Sequence, residues 1–185
     1  MSPESWLPDA GVDRGEADPV VRRALASAYG GEESYARAVA ALCTARLILP
    51  TVPAPPGAEP GLSEREPAGD ADGSGPAEDH HGPAMAVVHL RSAAGAKAVA
   101  VFTGADALLA WRPDARPVRC TLDDVAATVL ETESVAIVVD VAGPHPLVIE
   151  APLVEELARG HRLVELADGG FGWVWLADGG RASPS

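Results

Sequence analysis

The chain has 185 residues, 47% of them hydrophobic, and a formal net charge of −13. That length suffices for one domain with a real core, while the acidic balance excludes a basic face for nucleic-acid phosphates or anionic lipid. Two lone cysteines, Cys43 and Cys120, supply neither a disulfide framework nor a zinc-ligand spacing, and no apolar run approaches the ~20 residues of a membrane span.

Residues 1–17 carry no periodicity and read as a flexible leader. They lack the basic region and apolar core of a secretory signal, so the cytoplasm is the expected compartment. Asp18-Pro19 starts a helix: aspartate caps free amides, and proline is preorganised at the first helical position. Val21, Leu25 and Ala28 share one face before Gly30-Gly31 stops it. A second helix is predicted over Glu32 to Cys43, with Tyr35, Val39, Leu42 and Cys43 inward, followed by a strand at 46–52.

From Pro53 to Pro83, thirteen of thirty-one residues are Pro or Gly, and seven acids face one arginine. Too little apolar surface exists there to offset ordering entropy, so a disordered acidic loop between adjacent strands is expected. Met85 to Arg91 reads as one strand, forming a hairpin with Lys97–Phe102. Thr103 and Asp106 match an acidic capping box for a helix ending on Trp111, ahead of Pro113. After a short strand at Val118–Cys120, Thr121 and Asp124 repeat that box, with Leu122, Val125, Ala126 and Val129 as the inner stripe.

Val135–Val141 is apolar on both faces until Asp140, the pattern of a covered central strand. Gly143-Pro144-His145-Pro146 makes a turn, Leu147–Ile149 a strand, and Pro152 opens a helix that Gly160 closes. Arg162–Leu166 and Phe171–Leu176 alternate about an Asp-Gly turn, as a hairpin does.

The segments "ARLILPTV" at 45–52, "MAVVHLRSAAGAKAVAVFTGADALLAW" at 85–111 and "VAIVVDVAGP" at 135–144 resemble the SseB N-terminal domain family in its actinobacterial form. The marks are Phe102-Thr103 at a strand end, the helix closing on Trp111, and the Asp140 to Pro144 strand end. The resemblance covers about residues 18–160 and implies a mixed α/β sandwich. It implies no assigned reaction and brings no catalytic residues. Residues 162–185 fall outside it.

Asp140, at the end of a buried strand, sits where open α/β sheets place ligands, and His145 could join it as an acid/base pair. The plainer reading, which outweighs this one, has Asp140 accepting from the amides of the Ala142-Gly143 turn. Phe102, Thr103 and Trp111 could line a ligand shelf, although a packed tryptophan and a capping threonine are the commoner account of them. Phe171, Trp173 and Trp175 share one face and offer a partner edge or a cover for the domain's own core. Asp70-Ala-Asp72-Gly73-Ser74-Gly75 matches part of a calcium loop but has His81 where the glutamate belongs. Solvated charge is the better account of it and of the neighbouring Glu78, Asp79, His80 and His81.

These readings combine into one domain of α/β (α+β type), with a mixed sheet of about five to six strands packed with four to five helices. The domain spans 18–161 with the loop at 53–83 inserted and a hairpin-like tail at 162–185. The first functional expectation is a non-enzymatic interaction or regulatory module that binds an unknown protein partner or itself. No cofactor, metal, nucleic acid or membrane is expected. The alternative is a small-molecule binder or small hydrolase at the strand ends near Thr103 and Asp140. A part in a secretion apparatus follows from a shared family name alone.

Overall fold

The computed structural model describes residues 15–54 and 85–175. The leader up to residue 14, most of the acidic segment (55–84), including the calcium-like motif, and residues 176–185 lie outside them. In chain order the elements are α1 (Pro19–Ser27), a 3₁₀ turn (Ala28–Gly30), α2 (Glu32–Cys43), β1 (Leu47–Pro53), β2 (Met85–Val87), β3 (His89–Arg91) and β4 (Lys97–Val101). There follow α3 (Ala105–Trp111), β5 (Arg116–Cys120), α4 (Leu122–Glu131), β6 (Ala136–Val139), β7 (Leu147–Glu150), α5 (Ala151–Ala158), β8 (Arg162–Glu165) and β9 (Phe171–Val174).

The α+β class holds, with the strands distributed over three sheets of order β2-β1-β5, β3-β4-β6-β7 and β8-β9. All pairs are antiparallel except β4 with β6, where Val101 stands beside Val139. The expected single strand over 85–91 breaks at Val88, whose amide donates to the Pro50 carbonyl at 3.2 Å. Its two halves therefore serve different sheets. A reciprocal bridge between Ile48 and Phe102, at 2.8 and 2.9 Å, joins β1 to the end of β4.

Strand alternation divides the core. Leu47, Leu49, Val99, Val101, Ile137 and Ile149 point into a large cluster with the inner stripes of α1, α2, α4 and α5. Ile48, Ala100 and Phe102 point the other way, against Ala107 and Leu108 of α3. With both faces covered, each of these large side chains stabilises the fold by about 1.5–3 kcal/mol.

The helix ends separate good local signals from false ones. Asp18 caps α1 by accepting from Val20 at 2.7 Å, and the Thr121/Asp124 box closes reciprocally on α4. The matching box expected at Thr103 and Asp106 does not form. The cap residue is Gly104, which moves Asp106 one position too close to reach back, and both side chains bond elsewhere.

Candidate functional site

Parallel pairing brings the C-terminal ends of β4 and β6 to one edge. Asp140 carries its amide to the Val101 carbonyl at 2.9 Å, then turns at a φ of 49°. Aspartate tolerates this left-handed conformation better than most residues with a side chain. The turn is closed by the Gly143 amide donating to the Asp140 backbone carbonyl at 2.7 Å. The expected bonds from turn amides to the Asp140 carboxylate are therefore absent: the backbone carbonyl takes that role.

The carboxylate points back across the edge instead. One oxygen accepts from the Thr103 amide at 2.8 Å and the other from the Thr103 hydroxyl at 2.6 Å. Asp140 is 5% exposed and Thr103 4%, so this pair is shut away from water. Charge-assisted hydrogen bonds of that length are among the strong ones. Above them lies Arg22 of α1, whose guanidinium reaches the Thr103 hydroxyl at 3.4 Å and grips Asp106 of α3 bidentately at 2.7 Å twice. The hydrogen bond to Asp106 pushes the Arg22 guanidinium up, and the same bond holds the Asp106 carboxyl below the usual range. The network joins α1, β4, α3 and β6.

A cleft of about 160 Å³ opens beside it, lined by Arg22, Asp106, Asp140 and His145 over an apolar base that includes Leu25 and Ala107. His145 therefore shares a wall with Asp140, but both Asp140 oxygens already serve Thr103. Phe102 and Trp111 do not join this rim. Phe102 is fully buried, and its ring lies 5.2 Å from that of Trp111 in the smaller core, on the other side of the strand from Thr103. Arg22 has no signal in the sequence, because it stands 84 residues from Asp106 and only the fold brings them together.

The second candidate is the hairpin. β8 and β9 close through a turn in which Gly169 takes a φ of 84° and Leu166 and Gly170 form the last bonded pair. Phe171 and Trp173 are half-buried and pack on the large core, with Arg37 of α2 over the Phe171 ring at 5.7 Å. Arg37 also binds Glu165, and that hydrogen bond holds the Glu165 carboxyl low. Trp175, by contrast, is 62% exposed, and among the described residues its ring meets that of His161, tilted and 5.1 Å away. Val174, next in the strand, and Leu166, at the turn end of the hairpin, are exposed as well.

Burial raises both thiols, that of Cys43 and that of Cys120, the latter to about 12. Such thiols are poor nucleophiles at neutral pH. Among the described residues no helix is long and apolar enough to cross a membrane, and no three metal-ligating side chains converge.

Fold and site together define an α+β domain whose strand-end polar residues bind one another. The profile of the SseB protein N-terminal domain matches residues 21–156, and the chain belongs to that family. No curated protein and no solved structure matches it. The matched span includes Arg22, Thr103, Asp106, Asp140 and His145, and it ends before β8.

Proposed function

We propose that this SseB-domain chain is a non-enzymatic interaction module whose contact surface lies on the β8–β9 hairpin. The supporting observation is the open edge of β9. The Leu166–Gly170 bonded pair fixes the parity of the ladder, so Arg162–Val174 and Val164–Gly172 are the bonded pairs and Phe171 and Trp173 turn their backbone groups outward. Among the described residues, none bonds those outward groups. An unpaired edge flanked by exposed Val174 and Trp175 suits the addition of an extended strand. The strand-end network acts in this reading as a clasp that ties two helices to the sheet.

Amide hydrogen exchange of the whole chain, in buffer and in extract of its source cells, tests the assignment. Protection gained at 171–175 is the expected result. Protection gained instead at 103–107 and 140–145 would replace this reading with a small-ligand binder at the cleft. That second reading has its own support: Arg22 and His145 converge on a cavity of about 160 Å³.

A further inference from the structure

The strand edges of this protein are guarded unequally. β2 and β3 are three residues long, too short to template another chain. On β5 the Pro50 carbonyl bonds Val88, so the opposed Pro117 faces outward and has no N–H to offer, and Arg116 and Arg119 add charge. On β7 the Asp140–Val101 bond sets the parity of β6, which leaves Pro146, Val148 and Glu150 facing out. Both tyrosines of the chain close that edge: Tyr29 donates to the Pro146 carbonyl at 2.7 Å and Tyr35 to that of Val148 at 2.9 Å. The side of β8 turned away from β9 meets α2, where Leu163 and Cys43 share the large core.

Among the described residues, β9 is the one edge strand of more than three residues without proline, charge or cover. We infer that its occupant is a second copy of this chain, paired antiparallel β9 to β9 about a two-fold axis at Trp173. This inference rests on the interface reading above and names the partner. The register follows from parity: the outward residues must meet, which sets Trp173 opposite its own copy and Phe171 opposite the copy's Trp175. Aromatic cross-strand pairs of this kind are favourable, and like charges directly opposite are not. Phe171-Gly-Trp-Val-Trp175 carries no charge in a chain of net −13, so it pairs with itself without repulsion. An isologous contact closes at two copies and builds one four-stranded sheet, β8-β9-β9-β8. Edge pairing of five residues falls short of the ~1,000 Å² of a tight interface, so the dimer is weak and concentration-dependent.

Sedimentation of the whole chain over a concentration series, up to roughly 0.1 mM, reads the association directly. A reversible monomer–dimer equilibrium is expected, weakened at least ~10-fold by Trp175→Asp, which sets a carboxylate opposite Phe171 of the other copy. The denaturation midpoint of the dilute variant stays at the parent value, which separates loss of pairing from loss of fold. Exchange supplies the register: the amides of Phe171, Trp173 and Trp175 slow with concentration, whereas those of Gly172 and Val174 do not. A parent that stays monomeric, or a dimer indifferent to Trp175→Asp with no such alternation, overturns the self-pairing. Protection of 171–175 in extract by a monomeric parent leaves the interface reading standing, and no protection there in either experiment removes both.

Discussion

The clasp at the strand ends and the edge of β9 invert what their residue types suggest. Thr103, Asp106, Asp140, His145 and Arg22 are the residues from which sites are made, yet all but His145 already bind one another within the fold. Phe171, Trp173 and Trp175 look like core filler, yet their strand turns backbone donors and acceptors outward with no partner among the described residues. Chemistry-bearing side chains become a site only when something about them is left unsatisfied. By that measure the hairpin is more open to a partner than the cleft.

The sharpest way to break this contrast is to cut the clasp. Asp140→Ala strands two donors of Thr103 in a space closed to water, and the loss is expected to be about 3 kcal/mol by urea denaturation. Asp140→Asn keeps an acceptor for the Thr103 amide and tolerates the left-handed turn, so it should cost only about 1 kcal/mol. A neutral Asp140→Ala would show that the carboxylate is held for something other than structure. The next test stays on the hairpin. Trp173→Ala removes a half-buried ring packed on the large core and should cost about 2 kcal/mol, while Trp175→Ala should move monomer stability by less than about 0.5 kcal/mol. Equal effects of the two would mean that Trp175 packs on its own chain as Trp173 does.

Arg22→Ala probes the outermost layer of the clasp. The guanidinium and Asp106 are 38% and 63% exposed, and exposed pairs contribute little even when bidentate. A loss of at most about 1 kcal/mol, shrinking with added salt, is expected. A larger, salt-independent loss would make Arg22 part of the buried pair rather than a lid upon it.

Much of this was legible in the sequence, for reasons that are local. Asp18-Pro19, Thr121 with Asp124, the Asp-Gly turn and the apolar run ending at Asp140 each announce themselves within a few residues. Three features are not local. The break at Val88 depends on which sheet each half of the strand joins, and Pro50 decides that from far away in the chain. The failed capping box at Thr103 turns on a competition with Asp140, 37 residues distant. The sequence marks Phe171, Trp173 and Trp175 as one stripe, but only the packing of α2 and the parity of the ladder divide it. Phe171 and Trp173 cover the core with their side chains and leave their backbone open, and Trp175 covers little.

The junction where β2 gives way to β3 yields the smallest effect, and one that depends on pH. His89 opens β3 with Nε2 enclosed and, among the described residues, without a hydrogen-bond partner. Burial lowers its pKa below 6.5, and the charges of Lys97 and Arg91 lower it further, against the opposing effect of the Val87 backbone. The sign follows from proton counting. Below pH 6.5 the unfolded chain takes up a proton that the folded chain refuses, so stability rises with pH across that window. It is present in full above 6.5 and is lost as pH falls through the lowered value of the folded state. Urea midpoints of the parent and of His89→Gln, compared from acid to neutral pH, isolate this group, because His145 and His161 are common to both. The parent should lose stability relative to the variant as pH falls below 6.5. Parallel curves would mean that His89 accepts its proton in the folded state, and that the join between the two sheets admits water.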